Sequence, residues 1–216
     1  MLTLQKPFLC IENAGLKSYG GNQMLSDSAA IRKCGCGPVA ALDTVLYLEQ
    51  TTAPSSLSLP EYNRMLSDVT KRYFPLIPPF GINGLLFVLG INRLLHARNL
   101  PYRALWMLSG GKLWSRVEEL LSKDIPVILS VGPNFPQFWQ NNRLPFYCKT
   151  PNGEYRRVTA TKGHYVTATG IDDQWLQISS WGKRYFINRI EYENYTRAHS
   201  NYAFSNLVYL YKRAER

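Results

Sequence analysis

The sequence predicts an α+β fold, with a helical half up to about residue 122 and a β-rich half over about residues 123–216. Segments of the first half space their apolar residues as helices do, whereas the second half contains short alternating segments typical of strands. A Pro-Asn-Gly turn in that half also marks a hairpin. We expect residues 1–216 to form a single domain, because 216 residues that are 45% hydrophobic suffice for one sizeable core.

The first half is predicted to hold four helices. They are preceded by a predicted strand over Thr3–Ile11 and a glycine-containing loop over Ala14–Ile31. A Ser/Thr/Pro linker is predicted over Thr51–Leu59, between the first and second helices. A strand predicted over Tyr102–Leu108 precedes the last helix. Prolines in first turns, an Asn N-cap and apolar stripes support the helix assignments. The helices are expected over Val39–Gln50, Pro60–Tyr73, Gly84–Arg98 and Lys112–Ser122.

The second half is predicted to be mainly strands. A Pro- and Phe-rich loop over Pro133–Phe138 interrupts them, and a short helix is expected over Ile190–Ala198. The predicted strands cover Ile125–Val131, Phe146–Thr150, Glu154–Thr159, His164–Ile171, Trp175–Ser180, Tyr185–Asn188 and Leu207–Tyr211.

Composition and charge exclude several classes of protein. The net charge of +10 favours anionic partners, but the basic residues are scattered and no nucleic-acid motif is found, so we expect no nucleic-acid binding. The most apolar stretch is too short to span a bilayer, and the N-terminus lacks the pattern of a signal peptide. A cytoplasmic location is expected, although a secreted chain whose signal had been removed would look the same.

The four cysteines do not form the pattern of a disulfide framework. Cys34 and Cys36 are too close in sequence to bridge without strain, which favours a reducing compartment. Together with His164 they are a poor zinc signature, because no second close pair of ligands accompanies them. We therefore expect no metal and no cofactor.

The pair Cys36 and His164 carries the functional prediction. Cys36 ends Cys-Gly-Cys-Gly-Pro at the predicted start of a helix, where free N–H groups and the helix dipole favour a thiolate. His164 begins a predicted strand far downstream. A thiol on a helix and an imidazole on a strand form the nucleophile and base of a cysteine hydrolase, set in a groove between the two halves.

These motifs resemble the papain-like cysteine peptidase superfamily, and within it the bacterial branch related to double-glycine leader peptidases. The matching features are Cys36-Gly37-Pro38, Gly163-His164 and Ser180-Trp181-Gly182, in that order. The resemblance implies a helical lobe that carries the nucleophile, packed on an antiparallel β-sheet lobe. It also implies that Cys36 attacks a carbonyl and His164 acts as acid and base.

Two further site residues follow from the resemblance. The family's oxyanion-stabilising glutamine corresponds to Gln23, with Asn22 as the alternative donor. Because Gln23 lies further from Cys36 than is usual, residues 26–33 are expected to bulge out as an inserted loop. Ser179 stands where the family has the Asn or Asp that orients the histidine, and Asp172 or Asp173 is the alternative for that role.

Three functions remain open on the sequence alone. A cysteine-dependent hydrolase, most simply a peptidase acting on a peptide or isopeptide bond of a peptide or protein substrate, is the principal prediction. An acyl transferase would use the same thioester with a different acceptor. A non-catalytic binding module is the third, because the hydroxyl of Ser179 holds no charge that could stabilise an imidazolium.

Overall fold

The computed structural model of the protein describes residues 1–50, 56–108, 110–132, 140–201 and 206–213. The linker predicted over Thr51–Leu59 lies partly outside these residues, and the loop predicted over Pro133–Phe138 lies wholly outside them. Within them, helices from the first half of the chain pack on a large antiparallel sheet, which confirms the predicted α+β class.

The predicted helices are all present, with ends shifted by a few residues. Asn83 caps its helix as the sequence predicted, while Ser58, in a capping box with Glu61, and Asn188 are the N-caps of the second predicted helix and of the last one. None of the helices in the described ranges is long and apolar enough to cross a membrane. The helices are α1 (Ala29–Cys34), α2 (Cys36–Glu49), α3 (Leu59–Tyr73), α4 (Gly84–Ala97), α5 (Leu113–Ser122) and α6 (Arg189–His199).

Two sheets account for the strands in the described part of the chain. Nine strands form an antiparallel sheet in the order β5-β12-β6-β9-β10-β11-β7-β8, with β1 added beside β9, and β3-β2-β4 form a small second sheet. The strands are β1 (Leu2–Thr3), β2 (Cys10–Asn13), β3 (Leu16–Tyr19), β4 (Ser56–Ser58), β5 (Tyr102–Trp106), β6 (Val127–Val131), β7 (Leu144–Lys149), β8 (Tyr155–Thr161), β9 (His164–Ile171), β10 (Trp175–Ser180), β11 (Lys183–Asn188) and β12 (Leu207–Lys212).

The N-terminal segments differ from the prediction. The single strand expected over Thr3–Ile11 is two strands, β1 and β2, because residues between them turn inward and bury Leu4, Phe8 and Leu9 in the core. The expected loop over Ala14–Ile31 contains β3, a 3-10 turn at Gln23–Leu25 and the first half of α1. Both β1 and β5 come from the first half of the chain but pair within the large sheet.

Helix α2 is the centre of the helical side. Nearly all of it is buried, and it packs mainly on β9, the strand that lies between β6 and β10 in the sheet. A helix that is apolar around its whole circumference must be covered on every side, and α3 and α4 supply part of that cover. The start of α2 is thereby held against the start of β9.

Phe87 of α4 joins the helices to the sheet beside the start of α2. Its ring lies 4.4 Å from that of Tyr165 on β9 and 5.7 Å from that of Phe74, measured between centroids. A Cβ on Gly37 would lie 3.3 Å from the Phe87 ring, so helix α2 approaches this aromatic cluster as closely as a glycine allows. The cluster therefore sets the distance between α2 and β9.

Replacing Phe87 by alanine is expected to destabilise the protein by about 3–5 kcal/mol, because it leaves a cavity in a fully buried aromatic cluster. Urea denaturation followed by circular dichroism measures this change. Leu85→Ala on the same helix is the matched control, since Leu85 is 82% exposed and its loss should cost little. Equal effects of the two substitutions would contradict the role given to Phe87.

Candidate active site

Cys36 is the first residue of α2, as the sequence predicts. Gly35 ends α1 and also begins α2, and a Cβ at this position would lie 2.6 Å from the Ile31 carbonyl oxygen. Only glycine therefore allows α1 to end and α2 to begin without a spacer. The backbone N–H groups of Cys36, Gly37 and Tyr165 face the sulfur, so the thiol lies where the helix start meets β9.

His164 is the first residue of β9 and is buried. Its Nε2 lies 2.7 Å from Ser180 Oγ, and its ring stacks on that of Trp181 with centroids 4.3 Å apart. The hydrogen bond to Nε2 and the stacked indole together fix the plane of the imidazole. Since Nε2 is engaged, Nδ1 is the ring nitrogen left to exchange a proton with a neighbour.

The turn between β10 and β11 places the Trp181 ring over the imidazole. Trp181 and Gly182 both have positive φ, at 48° and 71°, which is the backbone pattern of a tight two-residue hairpin turn. A large side chain rarely adopts this conformation, and here the strands on either side impose it. The indole also packs near Phe146 and Tyr185, so neighbouring aromatic rings help to hold it in place.

Cys36 and His164 line the same crevice between the helical side and the sheet. Its volume is about 10 Å³, enough for on the order of one water molecule. The lining residues come from the first two turns of α2, the start of β9, the end of β10 with the turn after it, and the segment before α1. They are Gly21, Gln23, Cys36, Val39, Ala40, Asp43, His164, Tyr165, Thr167, Ser179, Ser180 and Trp181.

Gln23 also lines the crevice, and the segment between it and Cys36 is folded. Residues 26–33 were expected to bulge out as a loop, but they enter α1, which packs back on the turn that contains Gln23. Gln23 is buried, and its Nε2 donates to the Arg32 carbonyl oxygen at 3.0 Å. An amide nitrogen has two N–H groups, so this bond orients the side chain and leaves one donor unused.

Ser179 does not contact His164, which contradicts the predicted pairing. Its Oγ donates to the Tyr19 carbonyl oxygen at 2.8 Å, while Ser180 holds the imidazole. The reason is the alternation of side chains along a strand. Ser179 lies opposite Thr167 in the sheet, so these two side chains are on the same face. His164 is an odd number of residues from Thr167 and is therefore on the other face. Ser180, next to Ser179, is on that same face as His164.

The alternative candidates for orienting His164 and for stabilising the oxyanion are engaged in other contacts or lie elsewhere. Asp172 and Asp173 follow β9 at the end opposite to His164, roughly 26 Å along the strand at about 3.3 Å per residue. Asp172 Oδ1 there accepts the N–H groups of Gln174 and Trp175. Asn22 caps the 3-10 turn by accepting the Met24 N–H at 3.0 Å.

Burial governs the protonation of the dyad. It raises the pKa of the Cys36 thiol, and the N–H groups at the helix start only partly oppose it. Burial also lowers the pKa of His164 to about 3. Both shifts disfavour the charged forms, and so oppose the thiolate that the helix start was expected to favour.

Asp43 is a residue of the crevice that was not predicted from the sequence. It lies two turns after Cys36 on the same face of α2, is 2% exposed and lines the crevice. Tyr62 Oη donates to its Oδ1 at 2.7 Å and the Gly21 N–H donates to its Oδ2 at 2.9 Å. Burial raises the pKa of Asp43 to about 6. An acidic residue in the middle of the mostly apolar helix α2 was the available signal.

The remaining thiols are free and separate. Cys34 ends α1, is buried, and its sulfur lies 3.2 Å from the Ala30 carbonyl oxygen, while Cys10 and Cys148 are partly buried on β2 and β7. Within the described ranges, no group of three or more His, Cys, Asp or Glu side chains is arranged to hold a metal ion.

Comparison with known proteins supports the fold. No family model matches the sequence, and no curated protein matches it. A crystal structure described as a candidate C39-like peptidase from Bacillus anthracis is similar, with a TM-score of 0.50 and 13% identity over 90% of this chain and 94% of that chain. At this identity the similarity concerns the fold alone. The protein therefore has the papain-like α+β fold, and the double-glycine leader peptidase branch stays a prediction.

The raised pKa of Asp43 predicts a specific dependence of stability on pH. The folded protein holds this proton up to about pH 6, whereas an unfolded carboxyl loses it near 3.8, so stability falls as the pH rises between these values. The loss is roughly 3 kcal/mol. Asp43→Asn does not titrate, so the unfolding free energy of the wild type, relative to this variant, should fall by that amount from pH 4 to pH 7.

Urea denaturation of both proteins across this range measures the difference. His164 contributes stability of the opposite sign in the same window, since its pKa is lowered from 6.5 to about 3, but both proteins contain it and its effect cancels. A difference that stays constant with pH would show that Asp43 titrates normally.

Proposed function

We propose that the protein is a cysteine-dependent hydrolase, and most simply a peptidase that cleaves a peptide or isopeptide bond through a thioester on Cys36. One observation carries this proposal: the Cys36 thiol, the His164 imidazole and the Gln23 amide line a single crevice, although they are far apart in sequence. These are the nucleophile, the base and the oxyanion donor that acyl transfer to a thiol needs. The papain-like fold supports the same proposed function.

The first half of the reaction starts from neutral groups. As the sulfur of Cys36 attacks the carbonyl carbon, His164 takes the thiol proton, with Nδ1 available because Nε2 is bonded to Ser180. The carbonyl oxygen becomes an oxyanion, which the free N–H of Gln23 and the Cys36 backbone N–H would stabilise. One such donor contributes about 3–4 kcal/mol. His164 then protonates the leaving amine, and the acyl group stays on the sulfur.

The second half returns the enzyme to its starting state. His164 removes a proton from water as the water attacks the thioester, and the collapse of the second oxyanion releases the acid and the thiol. Ser180 holds the ring during both halves but carries no charge. The imidazolium that forms transiently therefore gains less from Ser180 than it would from a carboxylate.

The two other functions are separated from hydrolysis by simple measurements. An acyl transferase would pass the Cys36 thioester to an amine, so its product yield would depend on added amine. A non-catalytic binding module is favoured by the neutral partner of His164. It would retain its biological effect after Cys36→Ala.

Acylation by 4-nitrophenyl acetate tests the proposal without knowledge of the substrate. We expect Cys36 to be acetylated much faster than the other thiols, with release of 4-nitrophenolate, and mass spectrometry of peptides locates the acetyl group. His164→Ala should slow this reaction about 10²–10⁴-fold, since it removes the base. Cys148→Ala is the control and should change nothing. Acetylation of Cys36 no faster than that of Cys10 or Cys148 would refute the proposal.

The two neighbouring serines provide a further test of the site. Ser180→Ala removes the hydrogen bond that orients His164, worth about 1 kcal/mol, and should slow Cys36 acetylation roughly fivefold. Ser179→Ala is the matched comparison, since Ser179 bonds to the Tyr19 carbonyl beside the glycine loop and not to the imidazole. The larger effect must belong to Ser180, and the reverse order would place the orienting role on Ser179.

A further inference from the structure

A buried acidic residue lies beside the proposed active site and has no part in the mechanism above. Asp43 is almost fully buried, and its partners are the Tyr62 hydroxyl and the Gly21 N–H, neither of which is charged. A buried carboxylate without a cation is unfavourable, and an apolar residue would suit the interior of α2 better. The structural role of Asp43 is therefore sought in the backbone segment that its carboxylate binds.

Asp43 holds the glycine loop, residues 20–23, which ends at Gln23. Gly20 has φ +75°, and a Cβ there would lie 2.6 Å from Asp43 Oδ2. A Cβ on Gly21 would overlap the Tyr62 hydroxyl. The backbone of the loop thus runs in direct contact with the carboxylate and the phenol, which only glycine permits at these two positions.

The other side of the glycine loop is bonded to the sheet. Gly182 donates its N–H to the Gly21 carbonyl oxygen at 2.9 Å, and Ser179 donates to the Tyr19 carbonyl oxygen. The contacts with the sheet come from the strand end that also carries Ser180. Asp43 supplies the link to α2, and α2 carries Cys36 at its start.

We infer that Asp43 is a positioning residue for catalysis: its bonds to Gly21 and Tyr62 fix the glycine loop to α2, and so set Gln23 relative to the Cys36 sulfur. This inference rests on the proposed function, in which Gln23 stabilises the oxyanion. Tyr62 of α3, fully buried, holds the other carboxylate oxygen and keeps Oδ2 aimed at the loop.

Two reagents separate positioning of Gln23 from general reactivity of Cys36. With iodoacetamide, the sulfur displaces iodide from a saturated carbon, so a C–S bond forms and no oxyanion appears. With 4-nitrophenyl acetate, the sulfur adds to a carbonyl carbon, an oxyanion forms, and its collapse breaks the ester bond and releases 4-nitrophenolate. His164 takes the thiol proton in both reactions. The rate of acetylation of Cys36 divided by its rate of alkylation by iodoacetamide therefore reports stabilisation of the oxyanion.

Asp43→Asn is expected to lower this ratio about 10- to 100-fold, because a small misplacement of the donor weakens its bond to the oxyanion. Tyr62→Phe should lower it in the same direction by less, and serves if Asp43→Asn does not fold. The matched control is Asp68→Asn, which makes the same chemical change at an exposed ion pair with Arg72 on α3. It should leave the ratio unchanged.

A double-mutant cycle tests whether Asp43 acts through Gln23. Gln23→Ala alone should lower the ratio, and adding Asp43→Asn to it should change the ratio less than threefold, since the donor is already absent. Independent effects that multiply, or an unchanged ratio in a folded Asp43→Asn protein, would overturn the inference while the hydrolase proposal stands. An unchanged ratio in a folded Gln23→Ala protein would overturn the inference and also remove Gln23 as the oxyanion donor of that proposal. If wild-type Cys36 is not acetylated faster than the other thiols, the proposed function fails and this inference with it.

Discussion

The packing of α2 on β9 is the interaction on which the rest of the structure depends. Each element begins with a candidate catalytic residue, Cys36 on the helix and His164 on the strand. The helix is buried along nearly its whole length, and Phe87 and Tyr165 keep its start against the sheet. Because interiors are close-packed, neither element can slide without opening a cavity. The positions of the thiol and imidazole therefore follow from core packing and not from contacts between the two groups.

The same packing sets the electrostatics of the site. Burial disfavours charge, so it raises the pKa of Cys36 and of Asp43 and lowers that of His164. A serine hydroxyl beside the imidazole suits this environment, since a carboxylate there would add a further buried ionisable group to Cys36, Asp43 and His164 in the crevice. The proposed chemistry then creates charge only during the reaction, when the oxyanion and imidazolium form together.

Hydrogen bonds from several elements complete the crevice. The glycine loop is bonded to α2 through Asp43, whose other oxygen accepts from Tyr62 of α3, and to the sheet through Gly182. Helix α1 closes it from the far side, because the Arg32 carbonyl accepts from Gln23. The segment between Gln23 and Cys36 thus supports the site as a folded element, and its extra length over the family pattern is used to build α1.

The sequence alone determined the elements that local chemistry specifies, and the tertiary structure decided which side chains meet. Apolar periodicity, caps and prolines located the helices, and the order of Cys36, His164 and the Ser-Ser-Trp-Gly segment indicated the fold and the dyad. They could not show that Ser180 and not Ser179 faces His164, since this depends on the register between β9 and β10. They also could not reveal Asp43 or the pKa shifts of Cys36 and His164, because burial and the pairing of remote segments arise only once the chain has folded.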